Sequence, residues 1–133
     1  MDLIEQLRRD EGVRYTLYKD SVGIDTFGTG FTFPIDDAEN DFILQHRVDK
    51  ISAALADYSW FSSLDAVRQA ALINMGYNLG VSGLLHFPTM IHCLSIQDWP
   101  GASAAALNSV WAKQVGARAE RVAQQIATGV WIS

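Results

Sequence analysis

Glu11 and Asp20 are the two residues whose types and spacing could do chemistry together. Glu11 stands where an amphipathic stretch runs out at Gly12, and Asp20 falls in the turn-rich run Lys19-Asp20-Ser21-Val22-Gly23. A carboxyl at a helix end and another in a hairpin can face each other across a cleft. Glycoside hydrolysis asks for such a pair, one a protonated acid for the leaving oxygen and the other a carboxylate that manages water or the sugar cation. The two environments must differ for one to keep its proton near neutral pH. With 15 acidic residues in 133, spacing alone does not single this pair out.

The elements that must position the pair can be read from local pattern. Leu3, Ile4 and Leu7 mark a short first helix with Arg8, Arg9 and Asp10 on its wet side, closed by Gly12. Arg14–Tyr18 is rich in strand formers, and Thr26-Phe27-Gly28-Thr29-Gly30-Phe31-Thr32-Phe33 alternates β-branched or aromatic residues with glycine before Pro34. That predicts a small antiparallel hairpin region. Asp36 and Glu39 form a capping pair that opens a helix near residue 37, running on Phe42, Ile43, Val48, Ile51 and Leu55 towards Trp60. Ser62–Asp65 is a second start signal, for a helix from Val67 to about Leu79 that is apolar nearly all round and so reads as central and buried. Shorter helices are expected at about 87–96, 100–110 and 116–127. The fold class is α+β, mostly helical, with one small sheet near the N-terminus.

Composition narrows the function. The net charge of −5 argues against a non-specific nucleic-acid binder, and no apolar run reaches the roughly 18 residues of a membrane span. The single cysteine, Cys93, excludes an internal disulfide. His46, His86 and His92 lack metal-ligand spacing, so no metal is expected. Met1–Gln6 reads straight into a charged helix rather than a signal peptide, which predicts synthesis in a reducing cytoplasm.

Several motifs in register then resemble one family. Asp10-Glu11-Gly12-Val13-Arg14, Tyr18-Lys19-Asp20 and Thr26-Phe27-Gly28-Thr29-Gly30 look like the N-terminal signature of the phage T4-type lysozymes, peptidoglycan muramidases of the endolysin class. The likeness continues through Ser63–Met75, Trp111, Arg118-Ala119-Glu120-Arg121-Val122 and Thr128-Gly129-Val130-Trp131. It implies a single lysozyme-like domain over 1–133, with a small lobe at about 12–60 and a helical lobe at about 61–133 that includes the N-terminal helix.

By position, the resemblance makes Glu11 the general acid, Asp20 the second carboxylate and Thr26 the threonine beside the attacking water. The family mechanism, single displacement with inversion, needs carboxyls roughly 6.5–9.5 Å apart. The bond cut would be the β-1,4 link between N-acetylmuramic acid and N-acetylglucosamine. Thr32 and Tyr77 are implied substrate contacts. Arg118 matches an arginine that approaches the acid from the C-terminal helix. A cation there favours the ionised carboxylate and opposes the acid role, unless desolvation outweighs it or substrate loosens the contact; the other reading is that Arg118 only ties the lobes together.

Departures from the family pattern are specific. Phe31 stands where relatives commonly carry histidine, and Met90 and Ala105 stand where they tend to have polar groups. The chain is also shorter between Phe33 and the helix near Asp37, which predicts fewer sugar subsites or a more open cleft. The implied protein is a monomer acting on peptidoglycan, without nucleic-acid partners or membrane insertion. It would be made in the host cytoplasm and let through to the wall by a holin-like permeabilising protein. The alternatives are a lytic transglycosylase, or a non-catalytic wall-binding or virion module.

Overall fold

A computed structural model describes all 133 residues. Its elements run α1 (Leu3–Glu11), β1 (Arg14–Lys19), β2 (Asp25–Gly28), β3 (Phe31–Thr32), α2 (Asp37–Ala56), α3 (Ser59–Ser62), α4 (Ala66–Leu84), α5 (Pro88–Ser95), α6 (Trp99–Leu107), α7 (Val110–Val115) and α8 (Ala117–Thr128). The α+β class read from the sequence is the observed one, mostly helical with a small sheet. None of the helices is long and apolar enough to cross a membrane. By internal contacts the chain divides into residues 1–43 and 44–133, with α1 on the side of the strands.

In residues 1–43, α1 opens on a reciprocal cap. Asp2 Oδ1 accepts from the Glu5 amide and Glu5 Oε2 from the Asp2 amide, each at 2.9 Å. The helix closes where the Gly12 amide meets the Arg8 carbonyl at 3.0 Å, which leaves Glu11 as its last residue. The strands then pair antiparallel in the order β1-β2-β3. Tyr18 opposes Thr26 and Thr26 opposes Thr32, so these three side chains line up across one face of the sheet. Phe27 and Phe31 oppose each other on the other face. Phe27 packs there at 5.5 Å from the Phe31 ring and 5.1 Å from Phe33. Phe31, the departure from the family pattern noted in the sequence, therefore belongs to an aromatic face.

Residues 44–133 hold the apolar core. Leu55, Leu72, Met75, Leu84, Met90, Leu94 and Ile126 are its largest fully buried side chains, each worth about 1.5–3 kcal/mol by transfer from water. α4 runs through it, capped by Asp65, whose carboxylate accepts from the Arg68 amide. Partial burial pushes the Asp65 carboxyl up, but hydrogen bonds from Arg68 and its positive charge outweigh that and hold it below the usual carboxylate value. α4 extends past the predicted end at Leu79 to Leu84, leaving helical geometry only at Gly80. The stretch read as one helix to residue 110 ends at Leu107. A separate helix, α7, follows on a Ser109 cap. Cys93 is buried in this core, where burial and the neighbouring Asp98 push its thiol up, so it behaves as packing rather than as a nucleophile.

Candidate active site

Glu11, Asp20, Thr26 and Thr32 line one hollow of about 340 Å³, with Arg14, Tyr18, Lys19, Ser21 and Gly30. Each side chain arrives there for a local reason. Glu11 is delivered by the end of α1. Gly30 then fixes how closely the sheet can approach it. A carbon added at Gly30 would lie 2.7 Å from Glu11 Oε2, and the backbone φ of 65° disfavours any other residue as well.

Asp20 is held by its own turn. Its Oδ1 accepts from the amides of Val22 and Ile24, both at 2.9 Å, while its amide donates to the Ile24 carbonyl at 2.9 Å. One carboxylate oxygen is thus committed to backbone, and the other carries no protein partner. Thr26 is 3% exposed, and its hydroxyl donates to the same Ile24 carbonyl at 2.8 Å. With its proton engaged, that oxygen presents only lone pairs, so a water beside it is received as a donor. The Ile24 peptide therefore joins Asp20 and Thr26 into one rigid unit.

The cations of the hollow are placed by the sheet. Lys19 pairs with Asp25 across the β1–β2 ladder, and the Arg14 guanidinium lies 4.6 Å from the centre of the Tyr18 ring. In the sequence, Arg14, Tyr18 and Lys19 stand out only as parts of motifs. Tyr18 faces Thr26 across the ladder, beyond a register shift in β1 between Arg14 and Tyr18 that local pattern does not reveal.

Tyr77 and Arg118 do not line this hollow. They share another, of about 280 Å³ within residues 44–133, with Asn74 on its wall. Arg118 there donates from Nε to Asn74 Oδ1 at 2.9 Å and from a terminal nitrogen to the Asn74 carbonyl at 3.2 Å, which fastens α8 to α4. Met90 and Ala105 border a third hollow of about 510 Å³ with His86, Asn108 and Trp111. Met90 itself is fully buried and offers no polar atom there.

Residues 8–126 match the sequence profile of the family described as phage lysozyme. The chain is 31% identical to the pre-baseplate central spike protein Gp5 of Enterobacteria phage T4, over 97% of this chain and 28% of that protein. The alignment spans 162 positions against the chain's 133 residues, so the spike protein carries residues absent here. Two Dictyostelium discoideum proteins described as probable T4-type lysozymes 1 and 2 are 27% and 24% identical. The alignments cover 94% and 96% of this chain, and 93% and 94% of theirs.

Proposed function

Since the chain belongs to the phage lysozyme family, we propose that it is a muramidase that hydrolyses the β-1,4 bond between N-acetylmuramic acid and N-acetylglucosamine in peptidoglycan, at the hollow holding Glu11. The observation that carries this reading is the convergence of Glu11, Asp20 and Thr26 on one small polar cavity. Glu11, protonated, gives its proton to the glycosidic oxygen as the C–O bond breaks. The free oxygen of Asp20 and the lone pairs of Thr26 together accept hydrogen bonds from one water, turning its own lone pair towards the sugar carbon. The water's excess proton passes to Asp20. Thr32, on the same face of the sheet, offers a hydroxyl to the sugar. Tyr77 offers an aromatic face, and Arg118 acts on α8 and α4 rather than on the bond being cut. None of these steps calls for a cofactor or metal.

The likeness to T4-type lysozymes supports a role as an endolysin. In that role the protein is a monomer that accumulates in the host cytoplasm and reaches the wall once a holin-like protein has opened the membrane. Likeness to a spike protein favours a second reading, in which the same activity travels on the virion. Mass spectrometry of purified virions separates the two by presence or absence of the chain.

Digestion of purified peptidoglycan by the parent and by Glu11→Gln, with mass spectrometry of the released ends, tests the chemistry. Reducing-end saccharides from the parent alone are expected. Anhydro ends would make it a lytic transglycosylase, and wall binding without any release would make it a binding module.

A further inference from the structure

Residues 44–133 carry a second constellation, of which the hydrolytic reading uses only the ring of Tyr77. Tyr77, 44% exposed on α4, is shared by two hollows. One has Arg118 and Asn74 on its wall. The other, about 400 Å³, is formed by Arg47 and Lys50 of α2 against Gly76 and Gly80 of α4. Gly76 is packed closely, since a carbon added there would lie 3.2 Å from Ile51 of α2 and 3.5 Å from Leu84, and the open space lies at Gly80. A carbon at Gly80 would meet nothing within 4 Å.

Arg47 and Lys50 are three residues apart on one helix and so project to the same side. The ion pair of this unit is Arg68–Asp65, which leaves both cations without a carboxylate partner among residues 44–133. The adjacent Asp49 accepts instead from Gln45 Nε2 at 2.8 Å. Neither hollow has an acidic side chain in its lining. Two uncommitted cations beside an exposed aromatic ring suit a sugar that carries an acidic substituent. The ring's face packs on the sugar, and the guanidinium and ammonium receive the anion by charge-assisted hydrogen bonds.

We propose that Arg47 and Lys50, beside Tyr77, form an anion subsite for the acidic arm of the glycan, the carboxylates of the peptide attached to the muramic residue. This rests on the glycan being the substrate. A phosphodiester of a wall polymer presents the same charge, so the test separates the two sources. The double variant Arg47→Gln/Lys50→Gln changes only exposed side chains, and circular dichroism checks its fold.

Parent and variant are assayed on peptide-bearing glycan strands, on strands stripped of peptide whose freed lactyl carboxyl is amidated, and on such stripped strands bearing a phosphodiester polymer. The expected result is a KM about tenfold higher for the variant on peptide-bearing strands, with kcat unchanged and no difference on stripped strands. That gap closes as salt is raised. An equal change on all three substrates, or on none, overturns the subsite, and a change confined to the phosphodiester strands overturns its assignment to carboxylates. If the parent cleaves nothing, the muramidase reading fails by itself. Calorimetric binding of soluble muramyl-peptide then decides the subsite: binding lost in the variant supports it, and absence of binding to the parent overturns it.

Discussion

The two units hold their residues in place by different means. Residues 1–43 contain ten acidic and four basic side chains, and Thr26 is their one buried residue. Residues 44–133 contain five acidic and six basic side chains, and every buried apolar side chain falls between Leu55 and Ile126. The candidate carboxylates thus stand where packing does little. Their geometry comes from backbone: a helix end for Glu11, two amides for Asp20, a carbonyl for Thr26. Such placement needs few residues, and it tolerates no change in the backbone that supplies it.

If chemistry and packing are divided in this way, substitutions should separate them. The largest effect is expected from Glu11→Gln, which should lower turnover about 10²–10⁴-fold with the thermal midpoint unmoved. Turnover within tenfold of the parent would place the chemistry elsewhere. Leu72→Ala should do the reverse, costing about 2–5 kcal/mol in denaturant melts while turnover per folded molecule at low temperature stays at the parent's value.

Gly30→Ala sharpens the contrast because it replaces no acid. Its new carbon displaces Glu11, and kcat per folded molecule should fall by about 10²-fold, beside a lowered midpoint from the positive φ at Gly30. An unchanged kcat would mean that Glu11 has room to adjust.

Asp65→Ala should cost about 1 kcal/mol through the lost cap. Since the folded state holds that carboxyl below its ordinary value of 3.8, its ionised form stabilises the fold above that pH, and this contribution is lost as pH falls through the lowered value. The gap between parent and Asp65→Ala should therefore be full at neutral pH and narrow in acid. A gap that is constant with pH would leave Arg68 out of the account.

Much of this arrangement was legible in the residues. Asp36 and Glu39 cap α2 reciprocally, at 2.8 and 3.0 Å, as their spacing predicts. Gly12, Asp65 and Gly129 bound their helices where the sequence suggests. α3 and α7 escaped because four and six residues are too few to show a helical period. Ser109, whose hydroxyl accepts from the Ala112 amide at 3.1 Å, was the available sign of α7. The helix expected to end at about Leu79 instead resumes beyond Gly80, a single residue of non-helical geometry.

At the candidate site, Glu11, Asp20, Thr26 and Thr32 were named from sequence, but the reasons for their positions were not visible there. The contact of Gly30 with Glu11 joins residues 19 positions apart, and local pattern carries no trace of it. Arg47 and Lys50 went unremarked for the same reason. On α2 alone they are two ordinary surface cations, and only the open space at Gly80 of α4 gives them a cavity.

Arg68 ties together distant parts of the chain. It donates to the carbonyls of Ile126 and Ala127 at 2.6 and 3.2 Å and stacks 4.0 Å from the Trp99 ring, while Gln125 reaches back to the Val67 carbonyl at 2.8 Å. The start of α4 is therefore fastened to residues made some 58 positions later. During synthesis these ties between α4 and α8 cannot form until α8 has left the ribosome. The carboxylate turn, whose hydrogen bonds span four residues or fewer, can form as soon as it emerges. The order of translation thus completes the local scaffold of Asp20 and Thr26 before the ties that fasten α4 to α8.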